Sequence, residues 1–192
     1  MNGAVSKAAV VLGAAALLSG AGAGTATAAG RPSERPAATD GKAVTAGRAA
    51  ATHCAYVLDR MRPGETSSRV LRQGCAPSEK EARGAVGAAA DTLLLVMYAD
   101  ANYGGLTKSW YGKYGPCDTE GYGIRNLETT FWNINDKISS WSAGHHSCNY
   151  VNMWEDAVYQ GRHAAWHNYS RVPYVGSAMN DRVSSVNVHY EP

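Results

Sequence analysis

Two short stretches carry the residue types best suited to hold an ion: Asn135-Asp136-Lys137-Ile138-Ser139-Ser140 and Asn180-Asp181-Arg182-Val183-Ser184-Ser185. Each sets a carboxylate, a backbone carbonyl and a hydroxyl within five residues, with no thiol or imidazole among them. Calcium is a hard cation that takes about 6 to 8 oxygen ligands, and an oxygen-only donor set suits it. A single copy reads as well as a turn opened by Asn-Asp and a strand opened by Ser-Ser. Two copies shift the balance toward an ion.

The other chemistry-bearing residues argue less. His145-His146 and His163-x3-His167 invite a zinc reading, but two His four apart suit zinc on a helix, and this stretch has the pattern of strands. No H-E-x-x-H motif or G-x-S-x-G elbow occurs. Glu155 and Asp156 are adjacent and would point to opposite faces of a strand, which does not make an acid and base pair. The expectation is a protein that is not an enzyme.

The elements that must position the two stretches form an internal repeat. Tyr98-Ala-Asp-Ala-Asn-Tyr103-Gly-Gly105 and Trp154-Glu-Asp-Ala-Val-Tyr159-Gln-Gly161 share the pattern aromatic, four residues, Tyr, one residue, Gly. Each precedes one Asn-Asp-x-x-Ser-Ser stretch. Trp154 lies 56 residues after Tyr98 and Asn180 lies 45 after Asn135, which leaves 11 extra residues in the first copy, around Gly115 to Asn126. The pattern predicts a strand ending at an aromatic, a folded hairpin whose second Tyr covers the first aromatic, and a Gly where a side chain would clash. Alternation at Val186, Val188 and Tyr190 and frequent turn signals predict a Greek-key sandwich.

The duplicated hairpin followed by Asn-Asp-x-x-Ser-Ser resembles the βγ-crystallin domain in its calcium-binding, microbial form, over about Leu93 to Pro192. The resemblance implies an all-β fold in which two Greek-key motifs form a β-sandwich, with Ca2+ as the bound ion. It also implies a ligand set. One site would use the carbonyls of Ala99 and Lys137, the Ser139 hydroxyl and Asp181. The other would use the carbonyls of Glu155 and Arg182, the Ser184 hydroxyl and Asp136. Secreted metalloprotease inhibitors and killer-toxin-like proteins share this fold, so the alternative expectation is a peptidase inhibitor, or a protein whose exposed loop meets a protease or a cell-surface target.

The rest of the chain bounds these readings. Lys7, the apolar run Ala8 to Leu18 and the small residues ending Ala26-Thr27-Ala28 describe a secretory signal peptide over 1–28, too short in its apolar part to span a bilayer. Export predicts an extracellular protein with no membrane anchor and disulfides among Cys54, Cys75, Cys117 and Cys148. Three pairings are possible. Cys54 with Cys75 and Cys117 with Cys148 is preferred because the composition divides the chain between those pairs. Among 11 Tyr, 5 Trp and one Phe, only Tyr56 precedes Tyr98. Residues 29–52, without aromatics, are expected to be a flexible linker. Residues 53–92 are expected to form a disulfide-closed hairpin turning at Arg62-Pro63-Gly64-Glu65, then a short helix opened by the capping box Ser78 to Glu81 within an Ala-rich stretch to Ala90. Residues 93–192, which hold nearly all the aromatics and both repeats, are expected to fold without the preceding segment. A net charge of +2 without a basic run excludes nucleic acid as partner.

Overall fold

The turn signal at Arg62-Pro63-Gly64-Glu65 is where the chain first folds back: the Glu65 amide donates to the Arg62 carbonyl at 2.9 Å, and Gly64 takes a φ of 86°. The computed structural model describes residues 52–128 and 134–192. The expected leader, and the linker through residue 51, lie outside the described residues. Strands β1 (His53–Leu58) and β2 (Val70–Ala76) pair antiparallel on either side of that turn, with the Cys54–Cys75 disulfide joining them. Helix α1 (Glu79–Ala85) follows, its first turn capped by Ser78, whose Oγ accepts from the Glu81 amide at 3.3 Å. The helix stops short of Ala90. Gly87 adopts a φ of 60° and sends the chain into a single 3-10 turn, Ala88–Ala90.

Eight more strands build the two repeats. The first contains β3 (Thr92–Asp100), β4 (Gly104–Gly112), β5 (Tyr122–Ile124) and β6 (Ser140–Ala143). The second contains β7 (Tyr150–Asp156), β8 (Gln160–His167), β9 (Arg171–Val172) and β10 (Ser185–His189). They form two sheets, ordered β2-β1-β4-β3-β6-β9 and β5-β10-β7-β8. Each repeat is a Greek key that gives its third strand away: β5 pairs with β10 in the other repeat's sheet, and β9 pairs with β6. Neither repeat therefore has a complete sheet of its own. The sandwich core takes residues from both, including Leu95, Met97, Trp110, Trp141, Val151, Met153, Val186 and Val188.

The N-terminal hairpin continues this sheet. Strand β1 runs parallel to β4, from His53 beside Thr107 to Leu58 beside Gly112. Its Tyr56 ring stacks on Trp110 with centroids 4.4 Å apart, and both are fully buried. A smaller cluster of Val57, Ala82, Val86 and Tyr111 fills the outer face beneath α1. Hydrogen bonding and packing thus cross residue 92 without a break. A chain lacking residues 53–91 would leave Trp110 and the edge of β4 bare, so composition alone points to a smaller folding unit than the packing does.

The preferred cysteine pairing is the one present: Cys54–Cys75 ties paired strands, and Cys117–Cys148 braces loops. The extra residues of the first repeat are spread over several segments. Most lie between β4 and β5, in a loop spanning 113–121 where the second repeat has only 168–170. Cys117 ties that loop to Cys148, and Arg60 reaches it from the N-terminal hairpin. The Arg60 guanidinium donates to the Tyr114 carbonyl at 2.8 Å and pairs with Asp118 at 3.1 Å.

Candidate metal centre

The repeated hairpins fold alike to the level of single torsions. After β3 the chain passes through left-handed Asn102 (φ 57°) and Tyr103 (φ 66°), and after β7 through Val158 (62°) and Tyr159 (60°). A β-branched valine at positive φ is an unfavourable choice, so the surrounding contacts must impose it. In both copies the strand runs two residues past the expected aromatic, and the second Tyr packs edge-on against that aromatic. The centroids are 5.5 Å apart for Tyr98 and Tyr103, and 5.0 Å for Trp154 and Tyr159. The glycines answer to a shared constraint: a Cβ at Gly105 would lie 2.7 Å from Asp100 Oδ2, and one at Gly161 would lie 2.5 Å from Asp156 Oδ2.

The last serine of each Asn-Asp-x-x-Ser-Ser stretch locks its hairpin. Ser140 Oγ donates to the Asp100 carbonyl at 2.6 Å and accepts from the Tyr103 amide at 3.0 Å. Ser185 does the same with Asp156 and Tyr159, at 2.7 and 3.0 Å. No role for these two serines follows from the sequence alone. Their signal was present, since both occupy the sixth position of a duplicated stretch, but a hydroxyl bound to backbone some 30 to 40 residues away leaves no local pattern.

The remaining motif residues meet across the repeats. The Asp136 amide donates to the Val183 carbonyl and the Asp181 amide to the Ile138 carbonyl, each at 3.2 Å, and both aspartates have a φ of 55°. This reciprocal pairing delivers each carboxylate to the other repeat's serine. Ser184 Oγ donates to Asp136 Oδ1 at 3.0 Å, while Ser139 Oγ and Asp181 Oδ1 are 3.5 Å apart. Both serines are buried, whereas both aspartates are exposed. Asn135 and Asn180 each donate a side-chain N–H to the second oxygen of the adjacent aspartate, at 2.8 and 2.6 Å. The hairpins arrive at the same places: the Ser139 amide donates to the Tyr98 carbonyl and the Ser184 amide to the Trp154 carbonyl, setting Ala99 and Glu155 beside them. Lys137 and Arg182 follow the two aspartates directly.

Charge distinguishes the two clusters. Arg182 donates to Glu155 Oε1 at 2.8 Å, and Arg162 lies 3.9 Å from the other oxygen. The Arg182 hydrogen bond, helped by both positive charges, holds the Glu155 carboxyl below its usual range against a smaller opposing effect of desolvation. At the matching positions of the first cluster stand Ala99 and Lys137, which offer no such carboxylate. A cleft of about 690 Å³ adjoins the second cluster and takes in Asp136, Glu155, Asp181, Arg182 and Ser184. Among the described residues no three His, Cys, Asp or Glu side chains group to hold a metal, so an ion here would draw on carbonyl and hydroxyl oxygens. That is the donor set calcium accepts.

The histidines have neighbours of their own. His163 is on β8, with its Nε2 2.9 Å from Asn152 Oδ1 and its ring stacked on Trp154; His167 lies beside Glu191 and Tyr150. Desolvation, and secondarily the charge of His146, push the His145 imidazole below its ordinary value. No helix among the described residues is long and apolar enough to cross a membrane.

No family model and no curated protein matches the chain. Solved βγ-crystallin domains are similar to it. One from Flavobacterium johnsoniae is 23% identical and covers 51% of this chain and 96% of its own, at a TM-score of 0.39. A domain from Clostridium beijerinckii is 22% identical over 50% of this chain and 97% of its own, at 0.36. One from Ciona intestinalis is 18% identical over 50% and 98%, at 0.37.

Proposed function

We propose that this chain is a secreted, calcium-binding member of the βγ-crystallin superfamily, in which two ions stabilise the Greek-key sandwich. The observation that carries the reading is the reciprocal exchange of carboxylates: Asp181 stands at Ser139 and Asp136 at Ser184. The first ion would be held by the Ala99 and Lys137 carbonyls with Ser139 and Asp181, the second by the Glu155 and Arg182 carbonyls with Ser184 and Asp136. Calcium supplies a positive charge that neutralises each exposed aspartate and cross-links the repeats. One carboxylate per site in the carried-over set implies moderate affinity. Secretion accords with the leader read from the sequence and with two disulfides.

The test is calorimetric titration of the mature protein with calcium, together with thermal melts in calcium and in chelator. Binding restricted to the folded state should add about 2.7 kcal/mol per site at a hundredfold excess over Kd, seen as a higher Tm. No heat of binding and coincident melts would end this reading.

A second reading is favoured by the loop spanning 113–121. The disulfide at Cys117 and the hydrogen bonds from Arg60 hold it, while Tyr114 remains 63% exposed. A rigid loop presenting an aromatic lowers the ordering cost of binding a protein, as a peptidase inhibitor requires. Stoichiometric inhibition in a metalloprotease panel, lost in Tyr114→Ala, would support it.

A further inference from the structure

The open side of the sandwich, where β2 and β5 are the outermost strands of their sheets, holds a cavity of about 390 Å³. Its mouth is clamped by the loop after β1. The Ser68 amide donates to the Gly123 carbonyl at 2.8 Å, and the Gly123 amide donates back to Ser68 Oγ at 3.2 Å. Gly123 is needed for this approach, since a Cβ there would lie 2.8 Å from the Thr66 carbonyl. The size falls in the lower part of the range of about 300–1,000 Å³ usual for small-molecule sites.

Two donors around this cavity have unspent capacity. Trp110 lines it, and its indole N–H is buried with no acceptor. Arg72 also borders it, but its side chain shares the opposite face of the sheet with Val57, where its guanidinium is held by Asp91. Arg125 is exposed, and no ion pair or hydrogen bond from its side chain is present among the described residues. Buried donors are nearly always satisfied in folded proteins, so the orphan indole beside this cavity points to an absent acceptor. No Asp or Glu is among the described residues that line it, while Leu58, Val70 and Ile124 supply apolar wall.

We propose that this cavity binds an amphipathic organic carboxylate, its apolar body against Leu58, Val70 and Ile124 and its anionic head toward Arg125 and the Trp110 N–H. Charge complementarity decides between classes: a surplus of donors with no carboxylate in the wall favours an anion over a cation or a neutral lipid. Guanidinium and carboxylate form the strong, charge-assisted kind of hydrogen bond. The cavity shares Asn126 with the cleft at the second cluster, but none of the residues proposed to hold calcium lines it.

The probe is octanoate, titrated into the 15N-labelled mature protein in chelator while the indole N–H resonances are followed, with octylammonium as the charge-reversed control. Trp110→Phe identifies the Trp110 signal. Octanoate should move that signal saturably and octylammonium should not. Arg125→Gln, a change to an exposed side chain, should weaken octanoate at least tenfold while leaving the spectrum otherwise folded. Should Trp110→Phe fail to fold, amide shifts at Gly123 and Ile124 report the same binding. The proposal is overturned if octanoate moves none of these signals, if octylammonium moves them equally, or if Arg125→Gln binds octanoate as the unaltered protein does.

Discussion

Strands β4 and β8 occupy the same place in the two repeats, each the second arm of a left-handed hairpin, yet their surroundings are opposite. β4 is buried from Thr107 to Gly112, while β8 is exposed from Gln160 to His163 and alternates between half-buried and exposed from Ala164 to His167. Trp110 stacks on Tyr56 with no exposure, and its counterpart Trp166 meets Trp141 edge-on and stays partly exposed. The difference comes from outside the repeats. β1 lies along β4 and α1 covers the face behind it, whereas β8 ends its sheet. A duplicated sequence builds two equal hairpins, and an unduplicated hairpin then makes one of them core.

The largest effect should follow from removing that cover. A chain beginning at Asp91, which composition alone would expect to fold, should lack a cooperative melt by circular dichroism even in calcium. It loses fully buried Tyr56, Val57 and Leu58, and it uncovers Trp110. Burial losses of this kind cost about 3–5 kcal/mol for a single large aromatic, against a usual total of about 5–15. A sharp transition in the truncated protein would make the cover decorative and the two repeats equivalent after all.

Breaking each disulfide separately comes next. The closed segments span 21 and 31 residues, so the chain-entropy model assigns each about 3–4 kcal/mol. Cys54→Ser with Cys75→Ser should also loosen the Tyr56 and Trp110 stack, visible in near-UV circular dichroism. Cys117→Ser with Cys148→Ser should leave that signal alone. Equal spectral changes would blur the line between the covered side and the loop.

The pair Lys108 and Ala164 sharpens the comparison through pH. Lys108 is fully buried on β4, its ammonium 5.2 Å from the Tyr56 ring centroid, and burial pushes its pKa down to about 7. The unfolded chain, with the usual value of about 10.5, therefore holds more protons between pH 7 and 10.5. Stability should rise across that window by up to about 1.4 kcal/mol for each pH step and be flat in this contribution below it. Urea titrations at pH 7, 8 and 9 should show the rise, and Lys108→Met should remove it. An unchanged slope in that variant would mean that Lys108 keeps its proton when folded.

Smaller effects should test the symmetric parts. Ser140→Ala and Ser185→Ala each strip a carbonyl and an amide of their hydroxyl partner, a loss of about 1–3 kcal/mol, and should match within error. The two proposed calcium sites should not match. Arg182→Gln removes a cation from beside Glu155 and should tighten calcium at the second site alone, by no more than a few-fold given the modest strength of exposed ion pairs. Tightening at both sites, or at neither, in two-site calorimetry would count against the ion pair as the source of inequality.

Local signals in the sequence carried the hairpins, the paired aromatics, the glycines and the turn at Pro63-Gly64, because each depends on residues within about eight positions of one another. The two repeats and their order were legible for the same reason, and so was the division of cysteines, since composition changes sharply between the pairs. The meeting of the motifs was accessible only by resemblance: nothing within Asn135 to Ser140 says that its aspartate will face Ser184. Tertiary structure alone decided the exchange of β5 and β9, the parallel pairing of β1 with β4, the ion pair of Arg182 with Glu155, and the donor-rich cavity at Trp110. Each of these joins residues far apart in the chain, where many partners satisfy the same backbone hydrogen bonds. The choice among them falls to how well side chains fill the shared core.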